Sequence, residues 1–166
     1  MKKNAKPKMA LKLMQLCKYF QHQEFPYFVV KSLFGKQQFG WQYQALNRKK
    51  GVFGGPYQTI DLKSLDKKLW ITEELSLLHW EDTLETILID SVLPKLGVCD
   101  FQFLSLNFQN ITFKQFKILT ASGNVTVLSL RNALIRDKNG DNVPLEDILE
   151  ILPKIQELIL YENFII

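Results

Sequence analysis

The sequence predicts an α/β protein, with an α+β N-terminal portion followed by a short array of alternating strands and helices. Three observations predict it. Residues 27 to 45 hold two segments rich in aromatic and β-branched residues, one of them alternating apolar with polar. Three later segments, starting at Phe101, Val125 and Ile155, repeat one apolar spacing. Between them lie two stretches of helical periodicity, "FKQFKIL" and "PLEDILEILPKI".

The chain of 166 residues is long enough for one domain with a real core, and 46% hydrophobic with 23% charged residues fits an ordinary globular protein. No apolar run approaches the roughly 20 residues that a membrane-spanning helix needs, so no membrane partner is expected. The start "MKKNAKPKMALKLMQLC" is not read as secretory, because Lys12 interrupts its apolar stretch and no small-residue cleavage site follows. Without a secretory route, Cys17 and Cys99 are expected as reduced thiols in a cytoplasmic or nuclear protein. The net charge of +4 hides an asymmetry: residues 1 to 50 hold eleven Lys/Arg and one acid, Glu24, whereas the remainder holds ten Lys/Arg and sixteen acids. The two halves are electrostatically different surfaces.

In chain order, residues 1 to 8 are a basic lead-in poor in apolar side chains, expected to be disordered. Residues 9 to 80 form a basic α+β portion. Leu13, Leu16, Cys17 and Phe20 fall on one face of a helix that Pro26 ends or redirects. "YFVVKSLF" reads as a strand. "FGWQYQAL" reads as a half-buried strand, with Phe39, Trp41, Tyr43 and Ala45 opposed to Gly40, Gln42 and Gln44. "GKQQ" suits the hairpin loop between them. After the polar, glycine-rich loop "NRKKGVFGGP" come a strand in "YQTIDL" and a short one around Leu69 to Thr72. Residues 81 to 166 form the strand–helix portion. It opens with a helix capped by Asp82, with Leu84, Ile87, Leu88 and Val92 on one face, and Pro94 and Gly97 mark its end.

The three similar segments fit the leucine-rich-repeat template L-x-x-L-x-L-x-x-N-x-L. Phe101, Leu104, Leu106 and Ile111 fill the apolar positions of the first, with Gln109 at the asparagine position. Val125, Leu128, Leu130 and Ile135 fill the second, with Ala133 there; Ile155, Leu158, Leu160 and Ile165 fill the third, with Asn163. Leu104 and Leu128 are 24 residues apart, Leu128 and Leu158 are 30 apart, an irregular period near the expected one. Thr112 with Gln115 forms a capping box before the first intervening helix, and Gly123 falls near its stop. Pro144 starts the second, with Ile148, Leu149 and Leu152 on one face. A generic α/β unit with leucine-rich buried strands is the alternative.

Little in the chain points to chemistry. "DKNGDN" (137 to 142) resembles the start of a calcium loop, but Asn142 stands at the sixth position and Ile148 at the twelfth, so an Asn139-Gly140 turn accounts for it. "GVFGG", next to Arg48, Lys49 and Lys50, lacks the spacing of a phosphate-binding loop. His22 and His79 stand in no metal-ligand spacing. Neither a catalytic residue nor a metal or cofactor site is expected, and the chain is not read as an enzyme.

"LMQLCKYFQHQEFPYFVVK" resembles the last helix of an F-box and the segment after it, as in the large F-box-like families expanded in nematodes. "KKLWITEELSL", "VLPKLGVCDFQFLSL" and the residues from "TASGNVTVLSL" to "PKIQEL" are similar to the repeat-bearing remainder of such proteins. The resemblance covers most of the chain from Met9 on. It implies a substrate receptor of a cullin-based ubiquitin ligase, in which Leu13, Leu16, Cys17 and Phe20 match the adaptor-binding helix. The earlier F-box helices, with their Leu-Pro start, have no match.

The expected function is therefore a non-catalytic protein-interaction module. In repeat geometry the residues between the buried leucines share one strand face. Ser105, Asn107, Ser129, Arg131, Ile159 and Tyr161 are the candidate partner-binding residues. The competing expectation is a nucleic-acid binder that uses the basic residues 1 to 50.

Overall fold

The structure, a computed structural model, describes residues 12, 26–36, 40–46, 57–78 and 87–161. In order these form β1 (Tyr27–Lys36), β2 (Gly40–Ala45), β3 (Gln58–Ile60), β4 (Lys68–Leu78), α1 (Ile87–Val92), a 3-10 turn (Leu93–Lys95) and β5 (Leu96–Cys99). Then come β6 (Phe103–Asn107), β7 (Asn110–Thr112), α2 (Phe113–Leu119), β8 (Val127–Arg131), β9 (Leu134–Arg136), α3 (Leu145–Glu150) and β10 (Glu157–Tyr161). The class is mixed α/β.

An eight-stranded sheet runs in the order β10-β8-β6-β4-β1-β2-β3, with β5 paired to β4 off that path. From β1 through β10 the pairing is parallel, and β2 and β3 add an antiparallel flank to β1. One sheet thus passes through both sequence portions, 9–80 and 81–166. β7 and β9 form a separate parallel pair.

One face of the sheet holds the core. Leu75, Leu77, Leu104, Leu106, Leu128 and Leu130 are fully buried there, packed with Phe116 and Leu119 of α2 and Ile148 of α3. Trp41 and Tyr43 of β2 close the same core at its antiparallel end. Gly35 lies opposite Trp41 in the β1–β2 register, and a Cβ there would meet the indole ring at 2.8 Å. A side chain at position 35 would therefore displace Trp41 from the core.

Two differences from the sequence expectations have local causes. The short strand around Leu69 to Thr72 is in fact the eleven-residue β4. Its pairing with β1 jumps from Val30↔Ile71 to Ser32↔Glu74, so Thr72 and Glu73 together oppose Lys31. This bulge breaks the period-two pattern, and the strand reads as two short pieces although it is continuous. The second difference concerns Gly97, which sits inside β5; the helix already stops at Val92, where Leu93-Pro94 turns the chain. A Cβ on Gly97 would meet the Tyr27 ring at 2.7 Å and Lys68 at 2.8 Å, so the residue is small because β5 runs close to its neighbours.

Thr112 and Gln115 form the full capping box of α2, with each side chain accepting from the other's backbone N–H. Pro144 stands at the N-cap of α3 without a side-chain cap bond. The lead-in 1–8, the helix residues Leu13, Leu16, Cys17 and Phe20, the loop 47–56, Asp82, Leu84, Asn163 and Ile165 lie outside the described residues.

Candidate functional site

Parallel strands in register stack equivalent residues into rows across the sheet. Leu75, Leu104, Leu128 and Leu158 form one row and Leu77, Leu106, Leu130 and Leu160 another, both on the core side, although Leu160 on the edge strand β10 is 39% exposed and lies outside the core cluster. Alternation then sends the residues between and beside them to the opposite face. Three rows stand there. Ser76, Ser105, Ser129 and Ile159 make the middle row. Leu78, Asn107, Arg131 and Tyr161 make the row toward the strand ends, and Glu74, Phe103, Val127 and Glu157 the row toward the strand starts. The six candidate residues are thus on one face, as neighbours in two of its rows.

The backbone that brings them together repeats. Thr126 and Val127 N–H groups both reach the Gln102 carbonyl, at 2.8 and 3.0 Å, and Gln156 and Glu157 reach the Thr126 carbonyl at the same two distances. Two residues after Leu106 and Leu130, Phe108 and Asn132 both take left-handed backbone, with φ of 53° and 47°. Gln109 is buried just after the first of these turns, and its Nε2 donates to the Asn107 and Phe108 carbonyls at 3.1 and 3.3 Å. A buried amide there supplies donors to a turn whose carbonyls would otherwise be desolvated without a partner.

The middle row is a floor of small side chains. Ser105 and Ser129 are each 6% exposed, between the bulkier Phe103 and Val127 on one side and Asn107 and Arg131 on the other. The Ser76 hydroxyl donates to Glu74 at 2.8 Å, and the Ser105 hydroxyl to Asn107 Oδ1 at 3.5 Å. Ser129 has no hydrogen bond through its hydroxyl among the described residues. Arg131 is exposed, with its guanidinium carbon 5.7 Å from the centre of the Tyr161 ring. It has no ion pair among the described residues, unlike Lys31, which pairs with Glu73 at 3.0 Å. The acids of this face, Glu74 and Glu157, occupy the opposite row, about 13 Å away along the strands.

Glu74, Ser76 and Leu78 belong to this face, although the sequence reading placed no site there. Their signal was present: "LSL" occurs at 75–77, 104–106 and 128–130. Phe103 and Val127 were likewise missed, since an x position of the template carries no side-chain requirement.

The remaining sequence features are placed as follows. The Asp137 carboxylate accepts from the Asn139 and Asp141 N–H groups, at 2.8 and 3.0 Å, which makes 137–142 a side-chain-stabilised turn. Cys99 is buried, and desolvation pushes its thiol up to about 12, so it stays protonated at neutral pH and is a poor nucleophile. Cys17, His22, His79 and the "GVFGG" loop lie outside the described residues, as do the adaptor-helix positions Leu13, Leu16, Cys17 and Phe20. Of the basic residues before position 51, Lys12, Lys31 and Lys36 are described. Among the described residues no cluster of three or more His, Cys, Asp or Glu stands in metal-binding proximity, and no helix is long and apolar enough to cross a membrane. No protein-family model, no curated protein and no solved structure matches the chain.

Proposed function

We propose that the chain is a non-catalytic protein-interaction module, a short leucine-rich-repeat-like array whose binding face is the three-row strand surface. What supports this most is the register: β4, β6, β8 and β10 pair residue for residue, with leucines facing the helices and varied polar and aromatic residues facing away. The 24- and 30-residue spacings are compatible with that repeat: the second unit has eight residues between β9 and α3, around the Asp137 turn, where the first has none between β7 and α2, and α3 and the stretch after it are each one residue shorter. A surface without a covering helix among the described residues, and with varied side chains on a regular backbone, suits recognition of another protein.

Within this reading the chain is a substrate-receptor-like component of a cullin-based ubiquitin ligase. The segment with Leu13, Leu16, Cys17 and Phe20 docks on the adaptor, and the strand face holds the target. Sequence resemblance alone supports that part.

The test is quantitative affinity capture from cells, with the wild-type chain beside a face variant that combines Asn107→Ala, Arg131→Glu and Tyr161→Ala. Adaptor subunits retained by both, with a second set of proteins lost from the variant, is the expected result. An identical set from both chains would remove the face from the proposal. Material released by nuclease in both cases would favour the basic, nucleic-acid-binding alternative.

A further inference from the structure

We propose that the Asn107–Ser129–Arg131–Tyr161 end of the strand face receives an acidic side chain from an extended segment of a partner protein. The inference rests on the face being an interaction surface and names what that surface selects. Arg131 and Asn107 are register partners on adjacent strands, so their side chains project side by side. Asn107 accepts the Ser105 hydroxyl through Oδ1, which leaves its Nδ2 hydrogens as donors. Ser129, one step of alternation before Arg131 on the same strand and 6% exposed as a residue, adds a hydroxyl without a hydrogen bond among the described residues. Tyr161 holds the guanidinium from the β10 side. A contact with the ring uses none of the guanidinium N–H groups in a hydrogen bond, so they remain donors for a planar acceptor.

Donors therefore converge from three side chains, one of them cationic, and among the described residues no acid pairs with them. The complementary group is a carboxylate, which takes two parallel bonds from a guanidinium and further ones from an amide and a hydroxyl. A phosphodiester chain fits less well. Such binding draws on several cations spaced along a backbone, whereas Glu74 and Glu157 on the opposite row repel a polyanion. The same acids set the orientation of the partner, since an acidic residue gains at the Arg131 row and loses at the Glu157 row. Half-buried Ile159 and half-exposed Tyr161 flank the cluster with apolar surface, so an apolar residue next to the acid is the expected motif.

The experiment uses the full chain, immobilised, and two pools of end-blocked peptides with random flanks, one fixed as aspartate at its centre and the other as asparagine. Wild type is expected to retain the aspartate pool about tenfold over the asparagine pool, the effect of one charge-assisted bond set. Arg131→Ala should bring that ratio to one, and Arg131→Lys should keep part of it. A ratio near one on wild type, or one unchanged by Arg131→Ala, overturns the inference. So does displacement of the peptides by oligothymidylate with the same dependence on Arg131, which would assign the cluster to nucleic acid. Thermal melts of each variant report whether the fold is intact. If peptide selectivity fails while cellular capture still depends on the face, the interaction module stands and the acidic-segment inference alone falls.

Discussion

The two units that connect the face strands, β6 to β8 and β8 to β10, reach one backbone geometry by different local means. The first passes directly from β7 into α2, whose capping box satisfies the N–H groups of Thr112 and Gln115. The second inserts the Asp137 turn between β9 and α3, and α3 begins at Pro144 without a side-chain cap bond. The first also has Gln109 bonded to its turn carbonyls, where the second has the fully buried Ala133. Yet β8 and β10 enter the sheet through equivalent bonds, to Gln102 and Thr126. The difference teaches that the strand rows are set by the leucines and the helices behind them, whereas caps and turns are interchangeable supports.

The largest expected effect removes what the two units share. Phe116→Ala in α2 should cost about 3–5 kcal/mol and Ile148→Ala in α3 about 2–5 kcal/mol, because both side chains are fully buried against the strand leucines. Denaturant titration with a shared slope checks both. A loss below 1 kcal/mol for either would show that its helix contributes little to the rows. Next comes Gln109→Ala, where about 1–3 kcal/mol is expected, because two turn carbonyls lose a buried donor. Ala133, with no side-chain donor to lose, sets the contrast.

Smaller effects separate the supports. Thr112→Ala should cost about 1 kcal/mol and speed amide exchange in the first turn of α2. Asp137→Ala removes an acceptor from two N–H groups and should cost about 1 kcal/mol, with faster exchange confined to the second unit. If either substitution loosens both units equally, the supports are not local.

The smallest effect is the titration of Cys99. Its thiol is raised in the folded protein from 9.0 to about 12, so the neutral form is favoured by folding. The resulting contribution is fully present below pH 9 and is lost as pH rises from 9 toward 12. A Cys17→Ser variant should show no thiol reactive toward an aromatic disulfide reagent at pH 8 until denaturant is added. Immediate reaction would contradict burial of Cys99.

Sequence reading reached the rows themselves. Leu104, Leu128 and Leu158 align in register as their template positions imply, and the capping box at Thr112 was legible because its signal lies within four residues. The class, mixed α/β, followed from the same periodicities. What escaped was non-local. The second half of β4 was hidden by the bulge at Thr72 and Glu73, whose one extra residue breaks the period-two alternation between Ile71 and Leu75. β7 and β9 have three residues each, too few for a period, and exist because they pair with each other. The parallel placement of β1 against β4 depends on a crossover that no local pattern encodes. In the site, the contact of Arg131 with Tyr161 joins residues 30 positions apart, and only the fold brings them together.

Site-specific photo-crosslinking in cells tests the central claim most directly, because it compares the two sides of the molecule in one assay. A benzophenone amino acid replaces Tyr161, 51% exposed on the strand face, or Ile118, 45% exposed on helix α2. A discrete protein adduct is expected from position 161, lost when Arg131→Glu is added, and none from position 118. An adduct from position 118 with none from 161 would contradict that claim.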